Sequence, residues 1–117
     1  MHRVAIVGGG MMGRSLATKV AQEGINVYLK EVSAQAVESA QGELERSLDH
    51  SIERFALTGS EKKAILSRIT WVTHFDCATD SDLALEAVQE DFGLKRQILR
   101  ELDRRMPPDH PIVLTTS

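Results

Sequence analysis

Apolar residues recur along this chain in two rhythms. Val4-Ala5-Ile6-Val7 is an unbroken apolar run of the kind that suits a strand buried on both faces. Leu16, Ala17, Val20 and Ala21 then recur at helical spacing within residues 14–23, and Gly24 ends that helix. Residues 26–30 read as a second strand, with Glu31 at its C-terminal end. Ser33 is suited to cap a long helix. Val37, Ala40, Leu44, Leu48, Ile52 and Phe55 form its apolar stripe, at intervals of three or four. Leu57-Thr58-Gly59 breaks it, and Ser60 caps a shorter helix through Ile65 and Leu66.

The same pattern continues to the end. Residues 69–73 read as a third strand built on Trp71 and Val72, residues 75–81 as a link, and residues 83–88 as a fourth strand. Asp91 can cap a helix whose buried face is Leu94, Ile98, Leu99, Leu102 and Met106. Pro107-Pro108 ends it, and Pro111 precedes a fifth strand, 112–114. Strands alternating with helices predict an α/β domain with a parallel, doubly wound sheet. Right-handed crossovers give the order 3-2-1-4-5. The short link still suffices for the crossing: about eight extended residues reach some 27 Å, and three strand spacings need about 14 Å. Residues 32–68 exceed what a plain crossover requires, so a long helical insertion separates strands two and three. It is either a stabilising addition or an arm towards a large substrate, and the pattern alone favours the first.

The loop after the first strand carries the chemistry. Gly8, Gly10 and Gly13 fill G-x-G-x-x-G, and Glu31 follows Gly8 by 31 − 8 = 23 residues, near the expected spacing of about 20. Gly8 lets the chain turn sharply, Gly10 admits a pyrophosphate close to the backbone, and Gly13 lets helix pack on strand. Met11 and Met12 sit where helix amides would face the phosphates. Glu31 would accept hydrogen bonds from the adenosine ribose and repel a 2′-phosphate, which favours NAD over NADP. The bland alternative is a glycine turn joining strand to helix. Strand, helix, second strand and acid in register argue against it.

Composition narrows the class further. The chain has 117 residues, 42% hydrophobic and 26% charged, with net charge −3, enough for one soluble domain with a modest core. No basic stripe with interleaved aromatics suggests nucleic acid, and no apolar run reaches a membrane span of about 20 residues. The first residues run straight into a strand, which argues against a signal peptide. A lone cysteine, Cys77, fits a reducing cytoplasm. His2, His50, His74 and His110 are scattered, none in a metal-ligand spacing, so no metal is expected.

In a doubly wound sheet, ligands sit at the C-terminal strand ends where the strand order reverses. That brings the glycine loop beside Glu86-Ala87-Val88-Gln89-Glu90, with Ala87 and Val88 against the cofactor. Glu90 and Lys95 are placed to touch its nicotinamide half. Glu86 lies near the same crevice, or is a surface charge.

These residues resemble the N-terminal domain of the NAD-dependent L-3-hydroxyacyl-CoA dehydrogenases. The resemblance rests on the segments 4–14, 31–33 and 82–90 and on the proline-flanked last strand ending Thr116-Ser117. It implies a Rossmann-type domain over residues 1–117 with NAD as cofactor and a role in fatty-acid or butanoate metabolism. Glu31 would bind adenosine ribose, and Glu90 and Lys95 would lie near the nicotinamide. Ser47 and Arg54, on the long helix, match positions that contact coenzyme A, which turns the arm into a substrate-binding element. Ser117 matches a serine that touches cofactor and substrate beside the catalytic histidine. Thr115 stands where the family has an asparagine. The family's histidine, its glutamate partner and a helical C-terminal domain would all lie after Ser117, so the expected whole is a homo-oligomeric dehydrogenase of which this chain is the cofactor domain. The readings that compete with this are a stand-alone NAD-binding module without chemistry and a related hydroxyacid dehydrogenase acting on a sugar acid.

Overall fold

The computed structural model describes residues 1–88 and 92–114. Five parallel strands lie in one sheet: β1 (Arg3–Val7), β2 (Asn26–Lys30), β3 (Ile69–Val72), β4 (Leu83–Glu86) and β5 (Ile112–Leu114). Their order is β3-β2-β1-β4-β5, as the alternation of elements and right-handed crossovers require. β1 is central, and its register sets Val7 between Lys30 on β2 and Glu86 on β4.

Period-two alternation along β1 explains why its apolar run is unbroken. Val4 and Ile6 face a cluster with Ala17 and Ala21 of α1 (Met11–Gln22), Leu44 and Leu48 of α2 (Ala34–Glu53), and Ile65 of α3 (Gly59–Arg68). Ala5 and Val7 face Cys77 and Ala78 of a 3-10 helix (Phe75–Asp80), and Ile98 and Leu102 of α4 (Phe92–Arg105). Both faces are therefore covered. Each fully buried Leu or Ile contributes about 1.5–3 kcal/mol.

Several expected boundaries move, each for a local reason. α1 begins at Met11 rather than residue 14, because Gly10 has extended backbone and its carbonyl already accepts from Arg14 N at 2.9 Å. Thr58, not Ser60, caps α3: its hydroxyl accepts from Glu61 N, and the Glu61 carboxylate accepts from Thr58 N, a reciprocal capping box. Ser33 caps α2 as expected, accepting from Ala36 N at 3.1 Å. β3 stops at Val72 and β4 at Glu86, and the link between them coils into the 3-10 helix, which buries Cys77 and Ala78 against the sheet.

Phe55 does not belong to the buried stripe. It is 97% exposed, with φ +60, just past the C-cap Arg54. Phe55 N donates to Ile52 O and Ala56 N to Ser51 O, the paired bonds of a Schellman ending. That geometry swings the side chain off the helix face, and Leu57 turns back into the core instead. The proposed cap Asp91 lies outside the described residues.

Candidate functional site

The site begins where β1 runs out. Gly8 N still donates to Lys30 O at 2.9 Å, so the ladder to β2 holds up to the turn, and Gly8 then takes φ +113, the left-handed region that favours glycine. A side chain on Gly8 would also press on Ala87 O at 3.0 Å, so the segment after β4 lies directly against the loop. Gly13 is tighter still, since a Cβ there would fall 1.7 Å from Gly8 O. Gly10 is the opposite case, with nothing within 4 Å of an added Cβ. The three glycines thus divide into two that close the loop and one that leaves open space above it.

Open space over a helix N-terminus is what a pyrophosphate requires. Gly10, the N-cap of α1, has no side chain to satisfy the first amides, and no acid occupies the first turn. Those amides and the positive end of the dipole are left for an anion. Met11 and Met12 stand exposed beside them. Arg14 reaches back to donate to Gly9 O at 2.9 Å and clamps the loop.

Glu31 is fixed above this cradle by a residue to which the motif gives no duty. A Cβ on Gly9 would lie 2.8 Å from Glu31 Cγ and 3.2 Å from Ala40 Cβ. Gly9 therefore makes the room in which the Glu31 side chain crosses the loop. Glu31 N donates to Val72 O at 2.9 Å, which holds the residue at the sheet edge of the crevice. A third glycine in an unbroken run was the one signal for this.

On the other side of the loop, Glu86 is no surface charge. It is fully buried, accepts from Val88 N at 2.7 Å, and lies 2.9 Å from Lys95 Nζ, itself only 15% exposed. A buried carboxylate is tolerable only when paired in this way. The ion pair ties β4, Val88 and α4 together and sets Ala87 against Gly8. Lys95, expected at the nicotinamide end, spends charge on this pair. Gln89, Glu90, Thr115 and Ser117 lie outside the described residues.

Two hollows flank the loop. One, of 410 Å³, lies on the α4 side: its floor is Val7 and Lys30, its walls Phe75, Val88 and Ile98, and its rim Glu31. Lys30 is 9% exposed, and its Nζ sits 4.2 Å from the centre of the Phe75 ring. Burial pushes its pKa below the usual lysine value, partly offset by the nearby Glu31 carboxylate. The other hollow, a groove of 610 Å³ between α1 and α2, is lined by Arg14, Lys19, Arg46, Ser47 and His50 among others. Ser47 is thus on a groove wall, whereas Arg54, exposed at the end of α2, is not among the lining residues. Among the described residues no group of His, Cys, Asp and Glu could hold a metal, and no helix is long and apolar enough to cross a membrane.

The residues fit a dinucleotide: an open cradle at an uncapped helix start, an acid beyond it, and a slot beside the acid. Comparisons agree. The family described as 3-hydroxyacyl-CoA dehydrogenase, NAD binding domain, matches residues 3–117. A 3-hydroxybutyryl-CoA dehydrogenase of Mycobacterium tuberculosis is 30% identical over the whole of this chain, which spans 41% of that protein. A glyoxysomal fatty acid beta-oxidation multifunctional protein of Cucumis sativus is also 30% identical over the whole chain, which spans 16% of its length. The crystal structure of (S)-3-hydroxybutyryl-CoA dehydrogenase from Ralstonia eutropha superposes with TM-score 0.92 at 32% identity, covering 97% of this chain and 40% of that one.

Proposed function

The chain belongs to the family of 3-hydroxyacyl-CoA dehydrogenase NAD-binding domains, and from that premise we propose that it is the cofactor-holding part of an enzyme that oxidises the 3-hydroxyl of an acyl-CoA to a ketone. NAD, when bound, supplies the hydride acceptor. The residues of this chain do the holding. Met11 and Met12 amides at the start of α1 bind the pyrophosphate, and Gly10 leaves it room. Glu31 accepts from the ribose hydroxyls and turns away a 2′-phosphate. Ala87 and Val88, anchored by Glu86 and Lys95, form the opposing wall. Glu90, Lys95 and Ser117 are proposed at the nicotinamide end.

Ser47 and Arg54 are proposed to receive coenzyme A, Ser47 from the groove between α1 and α2 and Arg54 from the end of the arm. The base that takes the alcohol proton is proposed to lie on a further helical domain of the same enzyme, which would assemble as a homo-oligomer. The relatives' greater length supports this, since the chain spans 41% of one and 16% of another. The buried, unpaired Cys77 supports a reducing compartment such as the cytoplasm.

The observation that carries the reading is the contrast between Gly13, with no room for a Cβ, and Gly10, with nothing near one, beside the Gly9 over which Glu31 crosses. Calorimetric titration with NAD and NADP tests it. The chain is expected to bind NAD more tightly, and Glu31→Ala to narrow the difference. Absence of NAD binding, or a preference untouched by Glu31→Ala, overturns it.

A further inference from the structure

The α4-side slot contains one group that the dinucleotide cradle leaves unexplained. Lys30 stands at the end of β2, where its neighbours across the sheet are Val7 and Val72. The residue is only 9% exposed, but its ammonium still opens into the slot; among the described residues it makes no hydrogen bond or ion pair, the Phe75 ring centre lies 4.2 Å away, and the Glu31 carboxylate is nearby. Folding gains little from this. Drawing an ammonium into a slot with no protein acceptor costs part of its hydration, and methionine would fill the same space at no such cost. The slot it lines has Phe75, Val88, Leu94 and Ile98 as its apolar side and Glu31, Gln97 and Glu101 as its polar one.

Resting on the reading that Glu31 holds the adenosine ribose, we infer that Lys30 is a specificity-determining residue whose ammonium donates a hydrogen bond to a ring nitrogen of the adenine seated in this slot. The base hangs from the ribose that Glu31 grips, so the slot beside Glu31 is the space it enters. The pyrophosphate goes elsewhere, to the α1 N-terminus across the glycine loop. Lys30 and Glu31 are successive residues, so their side chains leave the strand end in opposite senses: Glu31 crosses Gly9 on the α2 side, and Lys30 lies in the α4-side slot. That separates reader of base from reader of sugar. Phe75 offers the adenine an aromatic face and holds the ammonium in place when the slot is empty.

The test uses the chain of residues 1–117 and its Lys30→Met variant, with calorimetry for NAD and NADP, NMR titration for adenosine, and thermal melting without ligand. The expected result is a melting temperature equal to or above that of the parent, with affinity for both NAD and adenosine lower by about tenfold, as for a hydrogen bond to a charged donor. Affinity for NADP should fall by no more than that for NAD. Unchanged NAD affinity overturns the inference. So does a loss for NAD without one for adenosine, which would assign the ammonium to a phosphate, or a larger loss for NADP, which would assign it to the 2′-phosphate. A lower melting temperature with the affinities lost in parallel would make Lys30 structural. If the parent chain itself binds no NAD, the proposed function fails instead, and the two failures stay distinct.

Discussion

Glycines of one motif differ by what an added methyl group would strike. Gly13→Ala drives a Cβ into Gly8 O, and the loop or α1 must shift, at a cost of about 1–3 kcal/mol or more. At Gly10 an added Cβ meets nothing within 4 Å and the extended backbone suits any residue, so Gly10→Val should lower stability by no more than about 1 kcal/mol, the difference between a fair and a poor N-cap. Denaturant melts should separate the two variants, while calorimetry should find NAD binding gone from both. Retained binding in Gly10→Val would reduce the loop to a structural turn. Asp82 carries a second expectation. Its carboxylate accepts from His2 N at 2.7 Å and Arg3 N at 3.0 Å, and these bonds hold its pKa below the ordinary carboxylate range. A depressed folded pKa adds stability that is present above the unfolded value, about 3.9, and is lost as pH falls through the folded one. Asp82→Ala should therefore flatten the acid limb of a stability–pH curve; an unchanged slope below about pH 4 would contradict this. At this scale Gly8, Gly10, Gly13 and Glu31 were legible because their spacing is itself the signal. The placements of Gly9, Lys30 and Glu86 were not. They depend on which side chain crosses the loop, how deep a strand end lies, and which cation reaches a buried carboxylate.

Helices and strands were legible in kind and order but not at their ends, because ends are decided by single capping contacts. Thr58 and Ser60 are both good caps by residue type, and Glu61 three residues after Thr58 decides between them. The stripe of α2 predicts burial correctly for Ala40, Leu44 and Leu48, then fails at Phe55, where helical periodicity has already stopped. Phe55 occupies the left-handed position that a Schellman ending reserves for glycine. Holding a non-glycine residue there costs roughly 1–2 kcal/mol, with no burial in return. Phe55→Gly should raise stability by about 1 kcal/mol, or about 4 °C in melting temperature. A drop in melting temperature would show that the exposed ring supports the arm. Leu44 and Leu48 of the arm pack into the core, and together with Ser47 and His50 they also line the groove against α1. Charge reversal at Arg54, tested in a longer protein with acyl-CoA turnover, should weaken acyl-CoA and spare NAD if the outer part of the arm receives coenzyme A.

For the molecule as a whole, the strand order followed from alternation and handedness, and the crevice followed from the order. What the crevice can do is limited by what stands in it. Oxidising a secondary alcohol needs a base within about 2.6–3.2 Å of the hydroxyl, beside the nicotinamide at the C-terminal ends of β1 and β4. His2 precedes β1 and His110 precedes β5, so both sit at the opposite edge of the sheet; His110 Nδ1 is 2.9 Å from Ser81 O. His50 lies on α2, in the groove against α1. His74 follows β3, beyond β2 and far along the order from β4, with Asp76 3.7 Å away. Glu86 is buried and committed to Lys95. Glu31 is proposed to hold the ribose, and a carboxylate is in any case a weak base for an alcohol. The loss of a positioned base typically costs about 10²–10⁴ in rate. Residues 1–117 alone, mixed with NAD and 3-hydroxybutyryl-CoA, should therefore form no NADH above background while still binding NAD. Clear turnover, followed by the absorbance of NADH, would mean that one of these histidines or carboxylates, or Glu90 or Ser117 outside the described residues, reaches the substrate, and replacement by alanine would identify which.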